Sequence, residues 1–334
     1  MHPLVRYIIQ RFLRFLLTIW IGLTIVFIIS RAMPFNAADL LVNRILSYGT
    51  RLSGEEIEAM RRTIYDLFGL GAPIHIQYFK FLVHYLTGDM GPSLAYFPER
   101  VSNIVALALP YTIFLLLMAS LITWVIGNLA GVLAALSRRE KLSRAIEYIA
   151  LGAQPIPFAV YALAYLMLYV LVLGLSLPTG GIVQGKPFWY ILLDMFNRSL
   201  PPLTAIVIWG WMGNFLAMKN LAMKIKNEDF IEFVKLTGAP QNVIFKYVLR
   251  NAFVPQYTYL LLSLGMMFTG NALIEYLFSY PGLGMLFYTS IVNADINLML
   301  GIAYMAIVGV ATATFVLDLT YPLVDPRIRY PGQR

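Results

Sequence analysis

Residues 104–137 read IVALALPYTIFLLLMASLITWVIGNLAGVLAALS, a run without one charged side chain. A helix needs about 20 apolar residues to cross about 30 Å of hydrocarbon. This run is longer than one minimal span, so its helix must tilt or project beyond the bilayer. Uncharged runs also cover 15–30, 148–185, 199–218, 251–274 and 296–317. The first is short, but Phe12 and Leu13 extend it past Arg14, whose stem can snorkel to the headgroups. Run 148–185 holds one helix to about Leu173 and then a turn-rich exit, Leu177-Pro178-Thr179-Gly180-Gly181. A further stretch, 276–294, contains Tyr280-Pro281-Gly282-Leu283-Gly284, which suits a loop or re-entrant piece better than a lipid-facing span. The reading is an all-α integral membrane protein with six spans.

Composition agrees. Of 334 residues, 59% are hydrophobic and 13% are charged, with a mean hydropathy of +0.71. A soluble domain averages about 25% charged residues, so a soluble globular enzyme is excluded. There is no cysteine, which removes disulfides and thiolate chemistry, and three scattered histidines make no metal cluster. The net charge of +8 reflects topology. Most of the basic residues fall beside the termini and at 138–144 and 219–250, which six spans place on one side. The excess of Lys and Arg puts that side, and both termini, in the cytoplasm. Nucleic acid is not needed to explain the charge. The arginine-rich start also has the outline of a signal peptide, with a weak Ser30-Arg31-Ala32 site. Removal would misplace the charges, so residues 1–31 read as a retained first span.

Two segments lie outside the membrane on this reading. Segment 32–98 is external. Ser53-Gly54-Glu55-Glu56 is a capping box, opening a helix with Ile57, Met60, Ile64 and Leu67 on one face. Gly69, Gly71 and Pro73 end it, and a second amphipathic stretch runs from Ile76 to Leu86. The pair is either a cap on the outer membrane surface or a platform for an external partner. Residues 99–334 form the core, interrupted by the cytoplasmic loop 219–250. There Asn227-Glu228-Asp229 gives an N-cap with acidic first-turn residues. A short helix, Phe230 to Thr237, ends at Gly238-Ala239-Pro240, and a second starts near Gln241. Phe230, Phe233 and Val234 on a short cytoplasmic helix need a cover, either lipid or a protein partner.

No phosphate-binding G-x-x-x-x-G-K-[ST] loop occurs, and no hydrolase motif. Glu147, Glu275 and Asp318 fall near span ends, away from the mid-membrane sites of ion-driven carriers. Glu275 is expected either to cap or snorkel, or to face a passage. Pro155 and Pro157 break the third span's backbone bonds. Asn214, Gln256, Tyr259 and Asn271 offer uncharged polar groups for a passage wall. The chain reads as a passage without its own motor.

Glu232-Phe233-Val234-Lys235-Leu236-Thr237-Gly238 resembles the Glu-Ala-Ala-x-x-x-Gly motif of ATP-binding-cassette importer permeases, with Phe233 and Val234 in place of two alanines. The whole chain resembles the dipeptide/oligopeptide/nickel permease family. The shared blocks are Gly88-Asp89-Met90-Gly91-Pro92-Ser93, Leu109-Pro110-Tyr111-Thr112, Leu177-Pro178-Thr179-Gly180-Gly181, Glu275 to Gly284, and Asp325-Pro326-Arg327-Ile328-Arg329-Tyr330. The external segment resembles that of the first of two paired permeases. The resemblance implies half of a heterodimeric pore in a prokaryotic plasma membrane. Its expected partners are a sister permease, two cytoplasmic ATPases, an external solute-binding protein and membrane lipid. Asp229, Phe230, Glu232, Phe233, Val234 and Gly238 would then form the contact with an ATPase. ATP and Mg would sit on the ATPases, with no cofactor on this chain. Peptides are the first cargo, with oligosaccharides or a nickel complex as alternatives. A self-sufficient carrier or channel, or a membrane scaffold for the external segment, is the reading from other classes.

Overall fold

A computed structural model describes residues 3–32, 53–67, 71–178, 180–183, 185–266 and 271–324, with isolated positions between 39 and 47. Among these residues the regular elements are helices, apart from one antiparallel bridge between Pro92 and Arg100. They are α1 (Pro3–Ala32), α2 (Gly54–Leu67), α3 (Ile74–Leu86), α4 (Val101–Leu136), α5 (Glu140–Ala153) and α6 (Phe158–Met167, continued by a π-helical turn at Leu168–Val172). Then follow α7 (Phe188–Lys226), α8 (Asp229–Leu236), α9 (Gln241–Met266), α10 (Ala272–Leu277), α11 (Leu283–Val292) and α12 (Ile296–Val324). The Asp325–Tyr330 block, Thr179 and Gly69 lie outside the described residues.

Four helical stretches are long and apolar enough to cross a bilayer: Val5–Ala32, Val101–Leu136, Phe188–Lys226 and Ile296–Thr320. A fifth results if α5 and α6 are taken as one bent unit. The molecule is thus an all-α, multi-pass membrane protein with four to five spans by this measure. The third span differs most from the sequence reading. In place of one helix kinked by proline, α5 and α6 meet at 102°. Pro155 and Pro157 lack the N–H that would carry one helix into the next, and Pro157 is the N-cap of α6. The fourth span is also longer than its uncharged run, because α7 continues through Asp194 and Arg198 at one end and Lys219 to Lys226 at the other. Its 39 residues make about 58 Å of helix. The second helix expected within 219–250 is not a separate element. It is the first part of α9, which continues past Pro255 to Met266.

Helices α4 and α7 form the central pair. Gly127 and Gly131 lie one turn apart on α4, facing the α7 backbone. A Cβ on Gly131 would stand 2.8 Å from the Phe215 carbonyl oxygen and 2.9 Å from the Lys219 nitrogen. Small residues four apart allow backbones to approach closely in a membrane, where dispersion and not water exclusion drives helix association. Around this pair, α1 packs on α12, joined by the Arg11–Asp318 ion pair at 2.7 Å and a Tyr7 hydroxyl bond to the Asp318 carbonyl.

The capping box at Ser53–Glu56 forms as its residues require. Ser53 donates its backbone N–H to the Glu56 carboxylate at 2.7 Å, and Glu56 N–H returns a bond to the Ser53 hydroxyl. The Ser53 backbone donor holds the Glu56 carboxyl below its ordinary range, so this cap weakens as pH falls through that lowered value. Helix α3 packs on α1 and α12: Tyr78 meets Phe27 of α1 edge-on, Phe81 meets it tilted, and buried Tyr85 meets Tyr304 of α12.

The 88–93 block turns on Gly88 and Gly91, with φ of +81° and +76°. Its Ser93 hydroxyl donates to the fully buried Asp295, which also accepts from Ala95 N–H at 2.8 Å and Leu298 N–H at 3.0 Å. The block therefore fastens the chain after α3 to the start of α12.

Gly131→Ala should cost about 1–3 kcal/mol by overpacking the α4–α7 seam. Gly152→Ala, where a Cβ meets nothing within 4 Å, should be neutral or stabilising by up to about 1 kcal/mol. Thermal unfolding of the detergent-purified chain separates the two.

Candidate functional site

Helix α8 lies across the ends of three long helices. Ile231 is its anchor: fully buried, it joins Val132, Ala135 and Leu136 of α4, Met218, Ala222 and Ile225 of α7, and Ile244, Val248 and Ala252 of α9. Burying one such side chain contributes about 1.5–3 kcal/mol. Val234 packs against the same cluster from the next turn. The helix is therefore seated on the bundle and not tethered loosely beneath it.

Polar contacts complete the seat. The last turn of α4 contains no basic residue of its own. Its free carbonyls are met from other elements: Lys226 Nζ donates to Ala135 at 3.1 Å and Gln241 Nε2 to Leu136 at 3.4 Å. Lys235 Nζ reaches back to the Lys226 carbonyl at 3.2 Å. Deeper, Lys219 of α7 is buried and paired with Glu147 of α5 at 2.7 Å, which holds α5 against the same end of the bundle.

The six residues singled out from the sequence divide by direction. Phe230 and Phe233 point outward, Phe233 being 69% exposed, while Val234 turns inward. Asp229 opens the helix and Glu232 stands one turn on, both exposed. Neither forms an ion pair among the described residues. Glu228 occupies the N-cap without a side-chain bond, so the acidic residues act on the helix dipole and do not supply a capping hydrogen bond. Gly238 has φ of +74°, and a Cβ there would touch nothing; the need for glycine is conformational, not steric.

Two residues were missed. Leu236, 81% exposed, continues the outward row three residues beyond Phe233. Ile231 is the inward anchor. Both follow from helical spacing once the helix is known to have one buried and one exposed apolar edge.

Of the other polar candidates, Asn271 caps α10, accepting from Ile274 N–H at 3.3 Å. Asn214 and Gln256 are buried, and Tyr259 is exposed. Glu275 caps, but the helix it caps is α11. Fully buried, it accepts from Thr112 Oγ1 at 2.9 Å, Gly284 N–H at 2.6 Å and Met285 N–H at 3.3 Å.

A multi-pass helical bundle with a seated amphipathic helix at one end is the class that this geometry defines. Residues 127–330 match the family described as binding-protein-dependent transport system inner membrane component, and the chain belongs to that family. It is similar to the oligopeptide transport system permease protein AppB of Bacillus subtilis, at 28% identity over 97% of this chain and 99% of the relative. It is likewise similar to the oligopeptide transport system permease proteins OppB of Haemophilus influenzae and of Salmonella typhimurium. Each is 28% identical over 98% of this chain and 100% of its own length.

Gly238→Ala should destabilise the α8 exit by about 1–2 kcal/mol, because a side chain must adopt a left-handed backbone. Gly238→Asn should cost less, since Asn visits that region more readily. Limited proteolysis of the 236–241 segment in purified protein would report the difference.

Proposed function

We propose that the chain is one half of the translocation pore in an ATP-driven peptide importer, with α8 as its contact to a cytoplasmic ATPase. The observation that carries this is the division of α8 into a buried anchor, Ile231 with Val234, and an outward row of Phe230, Phe233 and Leu236. A helix anchored to α4, α7 and α9 together can pass a push from below to all three. The exposed aromatic and leucine side chains suit a groove on the ATPase surface, and Asp229 and Glu232 beside them suit basic residues at its edge. Gly238 turns the chain back into α9. ATP and Mg belong to the ATPase subunits.

The same reading supplies the rest of the assembly. Peptide cargo is favoured by the relatives' names, which match almost end to end; oligosaccharides and a nickel complex are the other cargoes that the resemblance allows. A sister permease completes the pore, and an external binding protein delivers the solute to a face that includes segment 32–98. Six spans in a prokaryotic plasma membrane follow if α1, α4, α6, α7, the apolar part of α9 and α12 each cross, with both termini cytoplasmic. The α10–α11 hairpin is the re-entrant piece.

A self-sufficient ion-driven carrier is disfavoured by the carboxylates. Glu147 is paired with Lys219, Asp318 with Arg11, and Glu275 is bound to α11 and Thr112. Each of the three is held by a partner inside the bundle and none stands free on a passage wall.

The chain contains no cysteine, so one introduced at Thr237 is unique. It should crosslink to the co-purified ATPase with a yield that changes on adding nucleotide. Absence of a crosslink from every position between 230 and 240, in a complex that still co-purifies, removes the contact from α8. Phe233→Asp should weaken ATPase docking by about 2 kcal/mol, roughly thirtyfold, as loss of an interface anchor does. Membrane abundance should be unchanged, and peptide uptake should fall with docking.

A further inference from the structure

Helix α5 carries an arrangement that the pore reading does not use. Its inner edge is fastened to the bundle by buried Ser143 and Ala150, by the Glu147–Lys219 pair, and by the Ser143 hydroxyl on the Ala134 carbonyl at 2.9 Å. Its outer edge exposes Leu142, Tyr148 and Ile149. Because α5 meets α6 at 102°, an upright α6 lays α5 close to the plane of the membrane surface. The Lys and Arg excess makes this the inner surface.

At the start of α5, Arg138, Arg139 and Lys141, with Glu140, Leu142 and Arg144, line an open concavity of about 580 Å³. Both nearby carboxylates are engaged. Glu140 pairs with Arg144 at 2.6 Å, and Glu147 with Lys219. Arg138, Arg139 and Lys141 are exposed and have no ion-pair partner among the described residues. Three cations thus face one open hollow, and exposed apolar side chains continue from it along the same helix.

We propose that this hollow holds the phosphate of an anionic glycerophospholipid of the inner leaflet, with the acyl chains lying along Leu142 and Ile149, two turns apart on one face of α5. Arg138 and Arg139 would grip the phosphodiester through forked N–H donors. The order of chemistry along α5 selects a lipid over an acidic protein surface. The occupant must present an anion first and then an apolar tail, at an interface where both phases meet. An acidic protein surface offers the anion without the tail.

The test uses the full-length chain, equilibrated in detergent with phosphatidylglycerol and phosphatidylcholine of matched acyl length, with retained lipids counted by native mass spectrometry. The wild-type chain should retain phosphatidylglycerol preferentially. Each cation near an anionic surface strengthens such binding by about fivefold. The triple change Arg138→Gln, Arg139→Gln and Lys141→Gln should therefore lower retention about tenfold or more. Removing three charges elsewhere on the same side, Lys224→Gln, Lys246→Gln and Arg250→Gln, should leave it within about twofold. Arg138→Lys with Arg139→Lys keeps the charge but loses the forked donors, so it should retain less than the wild type and clearly more than the triple variant, which guards against loss by misfolding.

Equal retention of the two lipids by the wild type overturns the site. Equal loss in the two triple variants does the same, since general surface charge would then suffice. Displacement of phosphatidylglycerol by millimolar inorganic phosphate would show a free-anion site and overturn the lipid assignment. So would displacement by a co-purified ATPase, which would assign the hollow to an acidic protein surface.

Discussion

A carboxylate sealed inside a helical bundle is costly unless its oxygens accept hydrogen bonds, and both oxygens of Glu275 do so, which joins three elements. It accepts from Thr112 on α4 and from Gly284 and Met285 at the start of α11. The same threonine hydroxyl accepts the Leu283 N–H at 2.7 Å. The orphan donors of the first turn of α11 are thereby satisfied from two other helices. A Cβ on Gly282 would overlap both the Glu275 carboxylate and the Thr112 hydroxyl, and one on Gly284 would press on the Ala272 backbone at 2.6 Å. The α10–α11 hairpin can close only around this one carboxylate. From it the connections spread: Tyr280 OH donates to the Tyr111 carbonyl, Tyr111 OH to Asp194, and Arg198 ties Asp194 to the carbonyls of Gly180 and Gly181.

The two ends of the bundle are therefore held by different physics. At the hairpin end, directional hydrogen bonds between buried polar groups fix one arrangement, and any shift leaves a donor or acceptor unmet. At the α8 end, contact is largely apolar, through Ile231 and the cluster around it, with lysines reaching single carbonyls. Apolar contacts tolerate small sliding better than a polar lattice does, because they have no preferred angle. On the proposed reading this difference is useful. A push on α8 would move the α8 ends of α7 and α9 while the polar end serves as the fixed point about which they tilt.

Much of this was legible in the sequence because the lipid phase leaves so few solutions. The uncharged runs located the long helices, the capping box at Ser53–Glu56 formed as spaced, and the glycine at 238 marked a left-handed turn. What escaped has a common cause. The lengths of α7 and α9 were underestimated because a helix does not end where its charge begins: Asp194 and Arg198 pair with each other, and Lys219 with Glu147, so charged residues extend the helix inside the bundle. The break between α5 and α6 was visible as two prolines, but the 102° angle depends on what α5 packs against, which periodicity does not report. Asp295 gave no signal, since its partners Ser93, Ala95 and Leu298 include a residue two hundred positions away and two backbone donors. The outward and inward edges of α8 needed the positions of three other helices.

The residues by which the chain resembles its family are largely the ones that the polar lattice uses. Leu109-Pro110-Tyr111-Thr112, the glycines after Pro178, and Glu275 to Gly284 meet at one knot, and Gly88 to Ser93 meets Asp295 nearby. A side chain whose donors and acceptors are satisfied internally has no directional bond left for a passing solute. In this chain these motifs therefore serve the scaffold, where each buried polar group needs a particular partner. On the proposed reading, discrimination between cargoes then rests on surfaces that the lattice does not use, such as a wall shared with a second permease or the protein that presents the solute. On the proposed reading, such a passage could accept many sequences of peptide, since the bundle takes its rigidity from its own internal contacts.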